Sequence, residues 1–295
     1  MKFRTKLAAV SMALVLVPLS APAAQAAYTP VPSSCYAEMD TVKKDPLDNG
    51  QIVQIGVDGA TSPQMLAYDT DMHLGYVPKV LTLVSSSETS AEYRYRYYGL
   101  STEGTLSYHV FVTTKSTGET NLTSTTIKTG WTSTVDLVAT THNHLYALSS
   151  TGKLTRWTIN PDATLGGVVY LKTMTGLKDL GYAGTVTTTV NGATTARRDL
   201  MMAVTTTGAL QAFHMLYSGS GTHYTYTLKN SGYSAFETIA IGACSGQAGV
   251  MVLHDTDDGY ARVIYDSYIV NGITAGELSD RGTIGVAGKY SSYGS

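Results

Sequence analysis

A Gly-aromatic dipeptide that recurs about every 51 residues constrains this chain more than any other feature of its sequence. It stands at Gly75-Tyr76, Gly130-Trp131, Gly181-Tyr182 and Gly232-Tyr233, in steps of 55, 51 and 51 residues, and one more step reaches Gly282-Thr283. A period of this length, filled by short β-type segments, is typical of propeller blades with about four strands each. The chain is therefore predicted to consist of repeated copies of one sheet-forming unit.

A second landmark lies inside the units, where a polar turn ending in glycine separates two apolar segments. Its copies read YGLSTEGTL around Gly104, YALSSTGKL around Gly152 and MAVTTTGAL around Gly208, with a weaker copy, VLHDTDDGY, around Gly259. A tight hairpin needs a residue with positive φ, which glycine adopts without a Cβ clash. We therefore expect a hairpin at each of these four glycines.

The remaining pattern predicts an all-β fold. Short β-branched or aromatic runs such as Lys79–Val84, Leu106–Val112 and Leu210–Met215 are bounded by turn residues, and long helical spacing is absent from the sequence. The tail after Gly282 is too short for a blade, and residues 27–74 can supply the missing strands. We predict a five-bladed β-propeller of about four strands per blade, closed by a blade shared between the termini. A β-sandwich or an open stack of sheets is the alternative.

The start of the chain has the three-part layout of a secretory signal peptide. Three cations at Lys2, Arg4 and Lys6 precede an apolar run over residues 7–17 and the small-residue site Ala24-Gln25-Ala26. The run is too short to span a membrane. We expect residues 1–26 to be a signal peptide, residues 27–34 an extended Pro-containing arm, and residues 35–295 a single propeller domain of a secreted protein without a membrane partner.

Charge and cysteine content narrow the partners further. The net charge is −2, and three of the 20 basic residues but none of the 22 acidic ones lie in residues 1–26. The chain after residue 26 is therefore acidic. This argues against a nucleic-acid partner, because a phosphate backbone binds clustered Lys and Arg side chains. Cys35 and Cys244 lack metal or redox spacing, and we expect them to form a disulfide in an oxidising compartment.

The Gly-aromatic unit starts, together with the stretches His144–Trp157 and Asp199–Phe213, resemble the tachylectin-type propeller family. Its members are five-bladed secreted lectins. The resemblance implies pockets between neighbouring blades that hold acetylated amino sugars, one per repeat. In this chain the opening aromatic is Tyr, Trp, Tyr and Tyr and is then replaced by Thr283.

Aromatic and arginine side chains are the candidate ligand-binding residues. The repeat-opening rings occupy equivalent places in the sequence, where they either pack between blades or stack on a sugar ring. The segment Tyr93–Tyr98 alternates with period two, which puts Tyr93 and Tyr95 on one face and Arg94 and Arg96 on the other. Such a strand fits an interface or ordinary cross-strand pairing. The candidates are Tyr76, Trp131, Tyr182, Tyr233, Tyr93, Tyr95, Arg94 and Arg96.

Catalytic, cofactor and metal motifs are missing from the sequence. The acids in or near strands, Asp136, Asp179, Glu237 and Asp266, do not recur at matching places with a partner, as a glycosidase would require. The segment 255–259, DTDDG, is interpreted as an acidic turn and not a calcium loop, because it lacks a distal Glu at EF-hand spacing. His142 and His144 share a strand face without a third metal ligand. We expect no enzyme activity, cofactor or metal.

These observations favour a secreted, non-catalytic, lectin-like protein that recognises surface carbohydrate. The alternative is an adaptor or structural subunit of an extracellular multiprotein assembly. Such a subunit would bind a partner protein through the N-terminal arm or a propeller face.

Overall fold

The described part of the chain is built of β-strands joined by turns. The computed structural model describes residues 28–44, 49–59, 66–190, 194–217, 223–255, 259–269, 278–285 and 291–292, and none of them is helical. Over these ranges the all-β prediction is confirmed, and no helix that could cross a membrane is present in them. The predicted signal peptide, residues 1–26, lies outside the described residues.

The strands form five groups, which we call A to E. Group A contains β1 (Tyr36–Lys44), β2 (Gly50–Asp58) and β3 (Leu66–His73). Group B contains β4 (Val80–Glu88), β5 (Glu92–Leu100), β6 (Leu106–Thr114) and β7 (Thr120–Lys128). Group C contains β8 (Thr134–Ala139), β9 (His144–Ser149), β10 (Lys153–Ile159) and β11 (Leu165–Thr173). Group D contains β12 (Leu177–Val190), β13 (Thr194–Thr205), β14 (Leu210–Leu216) and β15 (His223–Lys229). Group E contains β16 (Thr238–Ala243), β17 (Gly249–Asp255), β18 (Tyr260–Asp266) and β19 (Leu278–Gly285).

Pairing within the groups is antiparallel and follows the order of the chain. Groups B, C and D are separate four-stranded sheets, whereas groups A and E are joined through the single pair Tyr36 and Ala243. A last strand, β20 (Ser291–Ser292), pairs with β1 at Thr41 and Val42. Group A therefore combines strands from both ends of the chain.

The groups are arranged in a closed ring. Strand β4 contacts β8, β8 contacts β12, β12 contacts β16, and β1 contacts both β16 and β4. Apolar cores lie between neighbouring groups all the way round, with residues of A and B, B and C, C and D, D and E, and E and A in common clusters. A cyclic set of sheets with a core at each junction is a β-propeller and not a sandwich. The β-propeller prediction is confirmed.

Side chains on the first strands of groups B, C and D each bind the backbone of the next group. The backbone N–H of Ala139 donates to Thr82 Oγ1 at 3.0 Å, and that of Leu180 donates to the Asp136 carboxylate at 2.9 Å. The N–H of Ile239 donates in the same way to Asp179 at 2.7 Å. These bonds fix the spacing of the inner strands, which form the wall of the central opening.

The predicted glycine hairpins are present between the second and third strands of their groups. Gly104, Gly152, Gly208 and Gly259 have φ between 69° and 79°. A Cβ on Gly104 would also lie 2.5 Å from the Thr132 backbone nitrogen, because the turn packs on the start of the next group. In group A, Leu74 N–H donates to the carbonyl of Gly50 at 2.9 Å, as Trp131 N–H donates to that of Gly104 at 3.0 Å.

The repeat-opening aromatics are not all equivalent. The residues whose N–H groups donate to the hairpin-glycine carbonyls are Leu74, Trp131, Met174 and Tyr233. Tyr182 lies inside β12, which runs for 14 residues and has a register shift between Tyr182 and Gly184. The 51-residue step therefore placed Tyr182 at the wrong point of its blade, and Tyr76 lies two residues past the equivalent Leu74.

The N-terminal segment is held on the ring. Cys35 is bonded to Cys244, which confirms the predicted disulfide and ties the start of β1 to the end of β16. Val31 is 4% exposed in the core between groups A and E, and Thr29 N–H donates to the Arg281 carbonyl at 2.6 Å. Residues 28–34 thus dock on their own propeller. Removing the apolar Val31 side chain from water into this core is favourable in free energy. We expected an extended arm that is free to bind a partner protein. In the structure these residues pack against the ring instead.

Candidate functional site

A cavity of about 770 Å³ opens at one end of the ring, and we call it the mouth. All five groups line it: A at Tyr36, Ala37, Glu38 and Asp40, B at Leu83–Ser86 and Tyr95, C at residues 139–141 and Asn143, D at Tyr182 and E at Ile241–Ala243. Several inner strands end here, so their last residues and the following turns form the rim. Because the five walls differ in sequence, the mouth is one asymmetric site and not a repeated one.

One wall of the mouth is acidic. Glu38 and Asp40 alternate on β1 and so point to the same face, where both line the cavity. Gln54 of β2 donates to both carboxylates, at 3.1 Å for Asp40, and Tyr36 Oη donates to Glu38. Burial, and then the neighbouring Glu38, raise the pKa of Asp40 to about 7.

Hydroxyl and amide groups form the opposite wall. Thr140, Thr141 and Asn143 lie in the turn between β8 and β9, where Asn143 has φ near 60°. Tyr182 reaches this wall from β12, and its Oη lies 2.9 Å from Thr141 Oγ1 and 2.8 Å from Thr185 Oγ1. The tyrosine ring is thus fixed at the edge of the cavity by two hydroxyls.

A buried carboxylate, Asp199, anchors this wall from behind. One of its oxygens accepts from His144 Nδ1 at 2.9 Å and from Tyr146 Oη at 2.7 Å. The other accepts from Thr185 Oγ1 and Tyr217 Oη, each at 2.9 Å. Burial alone would raise the pKa of Asp199, but the hydrogen bonds from His144, Tyr146 and Tyr217 lower it below the ordinary value. Asp199 therefore stays ionised and links side chains of group C to side chains of group D.

Tyr95 connects the mouth to a smaller side cleft of about 180 Å³ between groups A and B. The half-buried ring lines both spaces, and Tyr93, Gln54 and Asp71 line the side cleft. Tyr93 is 39% exposed, with Lys115 Nζ 4.4 Å from its ring centre. Two tyrosines and several polar groups thus follow one continuous surface outward from the ring axis.

Trp131 lies in a separate cleft of about 300 Å³ on group C. Its ring is 8% exposed and 5.5 Å from that of Trp157, over which Lys128 Nζ sits at 4.2 Å. Trp131 also belongs to the core between groups B and C. Its position is that of a structural residue with one edge open to a small cleft.

The other candidate residues do not reach the mouth. Tyr233 is 5% exposed in the core between D and E, and Tyr76 Oη contacts His109 Nε2 at 3.0 Å inside the core between A and B. Arg94 pairs with Glu92 at 2.7 Å, and Arg96 donates weakly to Ser85 and Ser87 at 3.4 Å. The structure therefore brings together Tyr95 and Tyr182 and separates the remaining candidates.

Sequence reasoning missed the acidic wall and part of the carboxylate pattern. The alternation of Tyr36, Glu38 and Asp40 in a β-type run was the available signal. Asp136 and Asp179 do occupy matching places, since each accepts the next inner strand's N–H, and this corrects the sequence interpretation. Burial raises the pKa of Asp136 to about 7, and burial with the nearby Asp136 raises the pKa of Asp179 well above its usual range.

Metal ligands do not converge in the described ranges, where His, Cys, Asp and Glu form no group of three around a common point. His142 and His144 do meet at one place, yet through Thr185 and Asp199 and not as a ligand pair. Residues 256–258 of the acidic turn, on which the interpretation against a calcium loop depends, lie outside the described residues.

Comparisons with known proteins add little to this geometry. No protein-family model matches the chain, and no curated protein matches it. A solved structure that it resembles is the WD40 domain of SCAP from fission yeast, at 8% identity and a TM-score of 0.34. The match covers 87% of this chain and 62% of that one, so the chain spans less than two thirds of the matched structure. The class of the protein, a β-propeller, follows from its own ring of sheets.

Proposed function

We propose that this protein is a secreted, non-catalytic binding module, a five-bladed propeller of the tachylectin type, that recognises carbohydrate through its mouth. The observation that carries the proposal is the lining of the mouth, where three tyrosines, Tyr36, Tyr95 and Tyr182, lie together with fixed carboxylate, amide and hydroxyl groups. Aromatic faces pack on the C–H surface of a sugar, and such polar groups match its alcohols. The volume of about 770 Å³ accommodates an oligosaccharide.

The site differs from the pockets that the tachylectin resemblance implies. Those lie between blades, one per repeat, whereas the mouth is formed once by all five groups. The Trp131 cleft has no copy with two tryptophans, because Trp131 and Trp157 are the only tryptophans of the chain. A single site on the ring axis is therefore the better-supported geometry for a chain whose repeats have diverged.

A glycan array with the protein and matched variants tests the proposal. Wild type and Tyr170→Ala, which removes an exposed tyrosine on the outer strand β11, should be retained equally. Tyr95→Ala and Tyr182→Ala should weaken retention about tenfold or more, as expected for anchoring aromatics. Equal binding by all four proteins would place the site elsewhere, and retention on no glycan would reject the carbohydrate function.

The adaptor alternative predicts a different result in binding experiments. Since residues 28–34 are docked, an adaptor would use a propeller face and not the arm. A pull-down that returns one stable protein partner, together with a silent glycan array, would favour this second function.

A further inference from the structure

The Trp131 cleft on group C departs from the repeat at a position on its third strand. On β10, Lys153 directly follows the hairpin glycine Gly152, and Trp157 stands four residues further on. The residues at the place of Trp157 in groups B, D and E are His109, Phe213 and Ile264. All three are at most 2% exposed, whereas Trp157 is only partly buried and lines the cleft together with Lys153. Of these four groups, C alone turns this core position toward an open cleft.

Two lysines flank the cleft, and their described neighbours are aromatic rings. Lys128, at the end of β7 in group B, has its Nζ 4.2 Å from the ring centre of Trp157. Lys153 Nζ lies 5.5 Å from the ring centre of Tyr170, a weak contact at an exposed site. Both lysines are exposed, and no described carboxylate lies within ion-pair distance of either ammonium group.

Two other cations that lie over rings are paired with acids. Arg262, on the third strand of group E, lies over the ring of Tyr233 and donates to Asp280 through Nε at 3.0 Å. Lys115 of group B lies over a tyrosine ring and pairs with Glu88. The described lining of the Trp131 cleft, by contrast, contains neither Asp nor Glu. In a chain of net charge −2, this cleft is therefore a local site of positive charge.

The two positive charges lie toward opposite ends of the cleft. Lys153 and Trp157 are four residues apart on one face of β10, which is about 13 Å along the strand, and Lys128 lies at the Trp157 end. A ligand that reaches both ammonium groups is therefore longer than one sugar ring. Between them, the cleft is lined by the hydroxyl residues Ser133, Ser149 and Thr155. Hydroxyl groups can donate to and accept from the alcohols of a sugar.

We propose that this cleft binds a carboxylated oligosaccharide, a short run of uronic acid units, at a site separate from the mouth. Lys128 and Lys153 would each bind one carboxylate in a charge-assisted contact. The open edges of Trp131 and Trp157 would pack on the sugar between them. This inference goes beyond the function proposed for the mouth, and its test is independent of that function.

The test is calorimetric titration of the full chain with three probes. These are the α-1,4-linked trimer of galacturonic acid, the corresponding neutral trimer of galactose and the peptide triglutamate. At pH 7 and one fixed ionic strength, the galacturonate trimer should bind at least tenfold more tightly than either of the others. Lys128→Gln and Lys153→Gln should each weaken its binding at least fivefold. Lys153→Arg keeps the charge and should retain the binding.

Lys172→Gln is the matched control. Lys172 is an exposed residue of β11 that pairs with Leu154, so it lies on the other face of the same sheet. The substitution removes the same charge from the protein and should change the affinity less than twofold. A loss as large as that in Lys153→Gln would mean that the net charge of the protein, and not the cleft, attracts the ligand, and it would overturn the proposal.

The remaining outcomes are equally decisive. Binding of the neutral trimer as tight as that of the galacturonate trimer overturns the need for a carboxylate, and equally tight triglutamate overturns the sugar. No binding of the galacturonate trimer, or binding that survives both lysine substitutions, overturns the site. Glycan retention that depends on Tyr95 and Tyr182 is measured separately, so failure of the Trp131 cleft leaves the function of the mouth standing.

Discussion

At the scale of single residues, buried carboxyl groups do two opposite things in this ring. Asp199 is ionised and surrounded by donors, so its charge supports the contact between groups C and D. Asp136 and Asp179 lie on adjacent inner strands, where burial and mutual proximity favour the protonated form. Asp199 therefore stabilises the fold when it is charged. The Asp136 and Asp179 pair stabilises the fold only while at least one of its two carboxyl groups keeps a proton.

The Asp136 and Asp179 pair predicts a pH-dependent stability. Because their pKa values are raised in the folded state, that state binds more protons than the unfolded chain above about pH 4, and stability falls as pH rises toward the folded pKa near 7. Asp179→Asn removes one charge and keeps an acceptor for the Ile239 N–H. The fall in unfolding free energy between pH 4.5 and 8 should become smaller by about 1–3 kcal/mol.

Urea unfolding at the two pH values, followed by tyrosine and tryptophan fluorescence, measures this difference. Glu119→Gln, in the exposed turn between β6 and β7, is the control and should leave the pH slope unchanged. An identical slope in Asp179→Asn and wild type would mean that the pair does not share a proton.

Trp131 separates folding from binding. Its ring is almost fully buried between groups B and C, and truncation to alanine should lower the unfolding free energy by about 3–5 kcal/mol. Tyr170→Ala, on the exposed side of β11, should stay within about 0.5 kcal/mol of wild type. Chemical denaturation gives both values. If Trp131→Ala melts normally but loses glycan retention, the Trp131 cleft is the binding site.

At the scale of elements, the hairpin turn between the second and third strands is the most regular part of the repeat. Its glycine meets two requirements at once: a left-handed backbone, and a close approach to the next group, as at Gly104 against Thr132. The turns were predictable because this requirement acts within a few neighbouring residues. The position of Tyr182 was not, because the length of β12 depends on its pairing with β13 and not on the local sequence.

Gly104 and Gly118 distinguish these two requirements. Both have positive φ, but only at Gly104 would a Cβ meet backbone atoms, and at Gly118 it would meet open space. Gly118→Ala should therefore cost about 1 kcal/mol, and Gly104→Ala about 2–4 kcal/mol. Denaturation midpoints of the two variants against wild type test the difference, and equal costs would show that contact with the next group is unimportant.

At the scale of the whole molecule, the ring could be predicted from the sequence to a greater extent than the candidate site. The period, the all-β content and the Cys35 and Cys244 bridge followed from spacing and composition. The acidic wall did not, because Glu38 and Asp40 form part of a cavity only together with Tyr95 of β5 and the end of β16, which are distant in sequence. Contacts between segments far apart in sequence leave no local pattern to read.

The disulfide should contribute strongly to the stability of the ring. It encloses 209 residues and joins the first and last groups at their seam. Replacing both Cys35 and Cys244 by serine should lower the unfolding free energy by about 2–5 kcal/mol. Thermal melting with and without a reducing agent measures this, and reduced wild type should match the double variant. A melting temperature that does not respond to reduction would contradict the prediction.

The same bridge changes what happens when the backbone is cut. Any single peptide bond broken between Cys35 and Cys244 leaves two pieces that are still joined through sulfur, and groups B, C and D lie entirely inside that span. The turn at 115–119, at the exposed edge of group B, is one place where a protease could cut. A molecule nicked there would remain a single covalent body with its five cores in place. The cleavage would therefore be detected as two fragments on a reducing gel, while the ring stays folded.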